Sequence, residues 1–102
     1  MARNEQRRAS RAGVNIRAEI RESGGGRFEV WVKDLSQTGF RVGLFSHLDH
    51  NKAVFLHLPG FAPMPARIAW HQNDEYGCHF SQPLHIAVFE HIIRVYPGLS
   101  RF

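Results

Sequence analysis

A chain of 102 residues, 43% hydrophobic and 22% charged, has room for one domain with one modest core, and this composition excludes a disordered polypeptide. One cysteine, Cys78, excludes an intramolecular disulfide and a cysteine zinc cluster, and no window approaches 18 consecutive apolar residues, which excludes a spanning helix. The formal net charge of +4 is uneven: Arg3, Arg7, Arg8 and Arg11 against Glu5 put +3 into residues 1–12, which points to an anionic partner reached by that segment and away from a surface that coats long nucleic acid.

Residues 1–12 lack apolar periodicity and read as a flexible basic arm, extended or loosely helical. No apolar run follows the arm, so it is no secretory signal, and with the single free thiol this points to the cytoplasm. From Val14 the pattern alternates strictly. Val14, Ile16, Ala18 and Ile20 share one face and Asn15, Arg17, Glu19 and Arg21 the other, the period of a half-buried strand. Gly24-Gly25-Gly26 supplies the reversal, and Phe28 to Lys33 resumes as a strand. Asp34 to Gly39 breaks the pattern with turn residues, and Phe40 to Leu44 is a short strand. His47 to Lys52 reads as a loop and Ala53 to Leu58 as a strand stopped by Pro59-Gly60. Pro63 and Pro65 keep the chain irregular until about Ala66. Arg67 to His71 is then a strand, Asn73-Asp74 a turn, and Tyr76 to Phe80 the last strand.

Pro83 changes the regime. Leu84, Val88, Ile92 and Val95 recur at helical spacing, with Phe89, Ile93 and Tyr96 alongside, so the helix opens near Pro83 and stops at Pro97-Gly98. Six short strands and one C-terminal helix imply an all-β antiparallel barrel or sandwich. The helix either plugs the barrel or lies on it with a second face outward. The expected organisation is an arm over residues 1–12 and one barrel domain over residues 13–102.

Two short motifs carry the chemistry. Arg7-Arg8-Ala9-Ser10-Arg11 contains Arg-x-x-x-Arg, and Asp34-Leu35-Ser36-Gln37-Thr38-Gly39 contains Asp-x-Ser-x-x-Gly; 22 residues separate Arg11 from Asp34, enough for a β-hairpin between them. Arginine offers a planar fork of donors that grips phosphate oxygens or the O6/N7 edge of guanine and can stack on a base. Asp34 can accept from guanine N–H groups, and Ser36 can donate to phosphate or bond within its own turn. Gly39 allows a flat ligand or a backbone to come close.

In this pair and its spacing the sequence resembles a PilZ domain. Ala66 to Phe80, ARIAWHQNDEYGCHF with Gly77-x-x-Phe80 at its end, is similar to the family's final hairpin, and the apolar helix after it also matches. The likeness covers about residues 7 to 96. It implies a six-stranded antiparallel barrel that binds cyclic di-GMP, a bacterial second messenger. Arg7 and Arg11 would grip guanine edges and phosphates, with Arg8 adding a stacking or phosphate contact. Asp34, Ser36 and Gly39 would form the barrel side of the pocket. With no output domain attached, the signal would pass to an effector protein. The competing functions are a ligand-independent interaction adaptor of the same fold and a small RNA- or DNA-binding barrel.

Other chemistries read weakly. Seven histidines show no His-Glu-x-x-His spacing, so no metal site or cofactor is expected. Cys78 and His79 are neighbours on a strand and point to opposite faces, which argues against a nucleophile pair and for a protein that is not an enzyme. Trp31 and Trp70 read as core or rim packing.

Overall fold

The computed structural model of the chain describes residues 12–96. Six antiparallel strands form a closed barrel: β1 (Ala12–Glu22), β2 (Arg27–Leu35), β3 (Gly39–Gly43), β4 (Val54–His57), β5 (Met64–Gln72) and β6 (Glu75–Phe80). Around the barrel their order is β1-β2-β3-β6-β5-β4, and β4 pairs with β1 to close it. One helix, α1 (Ile86–Val95), follows.

Alternation builds the core. Val14, Ile16, Ala18 and Ile20 of β1 point inward, as do Val30 and Val32 of β2 and Phe40 and Val42 of β3. Gly24 and Gly25 both adopt positive φ in the β1–β2 turn, which residues with a Cβ rarely do. Tyr76 is fully buried; its hydroxyl accepts from the Leu48 N–H at 3.0 Å and donates to the Ser46 carbonyl at 3.4 Å. That satisfied phenol ties the long β3–β4 loop down onto β6.

Three bulges interrupt the ladders, between Gly13 and Ile16, Val32 and Asp34, and Ile68 and Trp70. The latter two matter most. Counting by twos from Val30 and Val32 would send Asp34 into the barrel, and counting from Ala66 and Ile68 would send Trp70 inward. An extra residue in each strand resets the phase. Leu35 turns inward opposite Phe40, and Asp34 comes to lie opposite the outward Arg41. His71 turns inward to stack on Tyr76, with centroids 4.0 Å apart, while Trp70 lies outside opposite Gly77. A bulge re-aims side chains in this way without ending the strand.

The barrel has two dissimilar ends. The β1–β2, β3–β4 and β5–β6 connections share one. The β2–β3 turn, the β4–β5 loop, the start of β1 and α1 share the other. Helix α1 buries Phe89 and Ile92. The Tyr96 hydroxyl donates to the Pro59 carbonyl at 2.9 Å, and the His91 ring meets Phe61 at 5.6 Å, so α1 is held against the β4–β5 loop.

Four expectations need correction. Strand β5 begins at Met64 and includes Pro65. Pro65 sits opposite Phe55 near the strand start, where its missing N–H is tolerated, and its carbonyl accepts from Ser81 at 2.9 Å. Helix α1 starts at Ile86, three residues beyond Pro83, because the His85 ring accepts from the Ala87 N–H at 3.0 Å and caps the helix there. Val88 and Val95 of the apolar stripe face outward, 39% and 49% exposed, and the core face is Phe89 and Ile92 with Ile93 and Tyr96 beside them. Both tryptophans lie on the outer wall. Trp31 is 45% exposed with the Arg17 guanidinium 5.7 Å from its ring, and Trp70 is 42% exposed.

Candidate functional site

The Asp-x-Ser-x-x-Gly turn joins β2 to β3 and is held by its own groups. The Ser36 N–H donates to the Gly39 carbonyl at 2.8 Å. The Ser36 hydroxyl oxygen accepts from the Gly39 N–H at 3.1 Å and the Thr38 N–H at 3.2 Å. It also lies 3.3 Å from the Gly39 carbonyl and 3.2 Å from the Thr38 hydroxyl. Ser36 is thus buried and engaged within the turn, the local one of its two expected roles. Gly39 is required by a neighbouring backbone: a Cβ there would overlap the Cys78 carbonyl oxygen on β6. The Phe80 N–H donates to the Thr38 carbonyl at 2.8 Å and strengthens the same junction.

Asp34 is 8% exposed and its Oδ2 accepts from Arg41 Nε at 2.9 Å. Arg41 Nη1 donates to Glu75 Oε2 at 2.9 Å, and Lys33 Nζ donates to the same oxygen at 2.9 Å. Four alternating charges therefore run Lys33–Glu75–Arg41–Asp34 across β2, β3 and β6. Bonding to Asp34 raises the Arg41 pKa, and donation from Lys33 and then Arg41 lowers that of Glu75.

Asp34, Ser36, Gly39 and Arg41 line one shallow pocket on the outer wall, with Trp70 across from them and His79 on its floor strand. The Trp70 indole covers Gly77 so closely that a Cβ at Gly77 would overlap it. The cavity volume is ≈ 70 Å³, far below the few hundred Å³ of a site that engulfs a small molecule. Such a pocket takes the edge of one planar group and leaves the rest of a ligand to be covered from outside. Among the described residues, no three His, Cys, Asp or Glu side chains converge to hold a metal ion.

Arg7, Arg8 and Arg11 lie outside the described residues. Ala12, the first described residue, pairs with Leu35, and Gly13 pairs with Asp34, so the chain enters β1 beside the motif turn. A family model for the PilZ domain matches residues 5–96, a span that holds both motifs, all six strands and α1. The chain belongs to the PilZ domain family. Comparison with curated proteins finds no match.

Trp70 and Arg41 are residues of this PilZ domain's pocket that sequence reasoning missed. The bulge that turns Trp70 outward leaves no mark in the hydrophobic pattern; its one signal is Gly77, whose lack of a side chain makes room for the ring. Cys78 is inward, and burial pushes its thiol up to about 12, while His79 faces outward, so the two do not form a nucleophile pair. Among the described residues no helix is long and apolar enough to cross a membrane.

Proposed function

We propose that this PilZ domain is a cytoplasmic receptor for cyclic di-GMP, catalyses no reaction, and signals to an effector protein. Arg7, Arg8 and Arg11 supply the donors that grip phosphates and guanine edges. Asp34 accepts from guanine N–H groups, and Ser36 and Gly39 shape the turn that presents it. Trp70 offers a flat face for the base.

The observation that carries this reading is the meeting of an exposed indole and an oriented carboxylate at the spot where the arginine segment joins the barrel. At about 3.3–3.6 Å per extended residue, the chain between Arg7 and Ala12 spans at most roughly 18 Å and Arg11 is next to Ala12 in sequence, a tether short enough to let both act at the pocket. A route to an effector also begins here. The Leu84 N–H donates to the Gln37 carbonyl at 2.8 Å and Gln37 Nε2 donates to the Leu84 carbonyl at 2.9 Å, so the motif turn is bonded directly to the segment leading into α1.

The deciding experiment is isothermal titration with cyclic di-GMP, using GTP and cyclic di-AMP as controls. Saturable, guanine-selective binding is expected, with a stoichiometry that shows whether one ligand or two enter. A folded sample that binds none of the three refutes the proposal and favours a ligand-independent adaptor. Residues 3–12 are expected to gain amide protection when ligand is added.

A further inference from the structure

Within the pocket, Arg41 belongs to neither motif yet donates from Nε to the motif carboxylate at 2.9 Å. We infer that Arg41 is a positioning residue that fixes the Asp34 carboxylate as an oriented acceptor and thereby sets the preference for guanine over adenine. The inference rests on the cyclic di-GMP reading for its specificity half and on geometry alone for its positioning half.

The geometry is that of a two-point anchor. Arg41 Nε holds Asp34 Oδ2 at 2.9 Å while Nη1 holds Glu75 at 2.9 Å, so the guanidinium plane cannot rotate without losing one of them. Lys33 holds Glu75 in turn. The bulge in β2 makes this possible by setting Asp34 opposite Arg41 on the outer wall. Each carboxylate oxygen has two lone pairs, so Oδ2 can serve Arg41 and still face the pocket.

Guanine presents N–H donors at N1 and its exocyclic amine, which an ionised, immobile carboxylate accepts. Adenine presents a bare acceptor at N1, which the same carboxylate repels. A carboxylate free to rotate could turn away from the adenine lone pair at little cost. Discrimination of this kind depends on a polar group that cannot relax when the wrong partner arrives. A lysine at position 41 would keep the charge and lose the fork.

Arg41→Met tests both halves. Side-chain coupling constants of Asp34 in the ligand-free protein should report one rotamer in the wild type and averaging in the variant. Titration should show the cyclic di-GMP over cyclic di-AMP preference falling roughly tenfold, about 1.4 kcal/mol. Arg41→Lys should recover part of it. Glu75→Ala, which removes one of the two anchors, should lower it about threefold, and it serves if Arg41→Met does not fold. An averaged Asp34 in the wild type, or a single rotamer and unchanged preference in both Arg41→Met and Glu75→Ala, overturns the inference. An ordered wild-type Asp34 that becomes averaged in Arg41→Met, in a protein that binds no cyclic dinucleotide, upholds the positioning role and overturns the receptor reading.

Discussion

Gly39→Ala should be a folding mutation before it is a binding one. The added Cβ falls on the Cys78 carbonyl oxygen and also meets the Cys78 carbonyl carbon at 3.2 Å and His79 Cα at 3.3 Å. All three are backbone atoms, so no side-chain rotation relieves the clash and β3 must move away from β6. That movement strains the two Ser36–Gly39 bonds and the Phe80–Thr38 bond. At about 0.5–1.5 kcal/mol for each of three bonds, the expected loss is about 3 kcal/mol, a large share of a stability of about 5–15 kcal/mol. For a domain of this size the midpoint should fall by about 12–24 °C. Gly77→Ala is the control. The atoms nearest its Cβ all belong to the Trp70 indole, a side chain that can swing out, so a loss nearer 1 kcal/mol is expected, with a change in tryptophan emission. Calorimetry and urea unfolding of both variants measure the difference. A Gly39→Ala midpoint within a few degrees of wild type, or no milder than Gly77→Ala, would falsify the close-approach argument.

Arg7→Ala and Arg11→Ala should each abolish tight cyclic di-GMP binding with little change in melting temperature; a variant that titrates like wild type counts against the arm's role. Burial holds the Cys78 thiol protonated until about 12, whereas the unfolded chain loses that proton near the ordinary thiol value. This contribution is therefore intact below the ordinary value and declines as pH rises through that window, by about 1.4 kcal/mol per pH unit. Urea unfolding against pH should show a shallower alkaline decline in Cys78→Ala, and equal slopes would contradict the burial argument. With Trp31 changed to Phe, the remaining Trp70 emission should respond to cyclic di-GMP and not to GTP; an indifferent signal removes Trp70 from the site.

The strands were legible where alternation is unbroken. Residues 14–20 share their faces as read, because one face meets the core and the other water. The motif turn was legible because its residues act locally, Ser36 bonding within three positions. What escaped was phase. A bulge adds one residue without glycine or proline, as at Lys33 and Ala69, so the pattern does not announce the change of phase, and Trp70 reads as core or rim packing instead of as a pocket wall. Helix α1 carries apolar residues on more than one side, and spacing alone does not say which side is covered. Valines at 88 and 95 fit the apolar spacing, yet only the Phe89–Ile92 side is covered. Its start was missed because histidine is outside the usual set of capping residues.

The bulges carry a consequence for chain length. Insertions and deletions are ordinarily confined to loops, since losing one residue from a strand inverts every side chain beyond it. At Ala69 the reverse holds. The β4 pairing of β5 ends at Ala66, so deleting Ala69 would leave one residue opposite one, keep Tyr76 facing His71, and restore a regular ladder with β6. At Lys33 it does not, because β1 already sets two residues, Val14 and Asn15, opposite it. In this barrel the positions most tolerant of a lost residue therefore include one inside a strand, next to the pocket. A deletion there would alter the site while sparing the core.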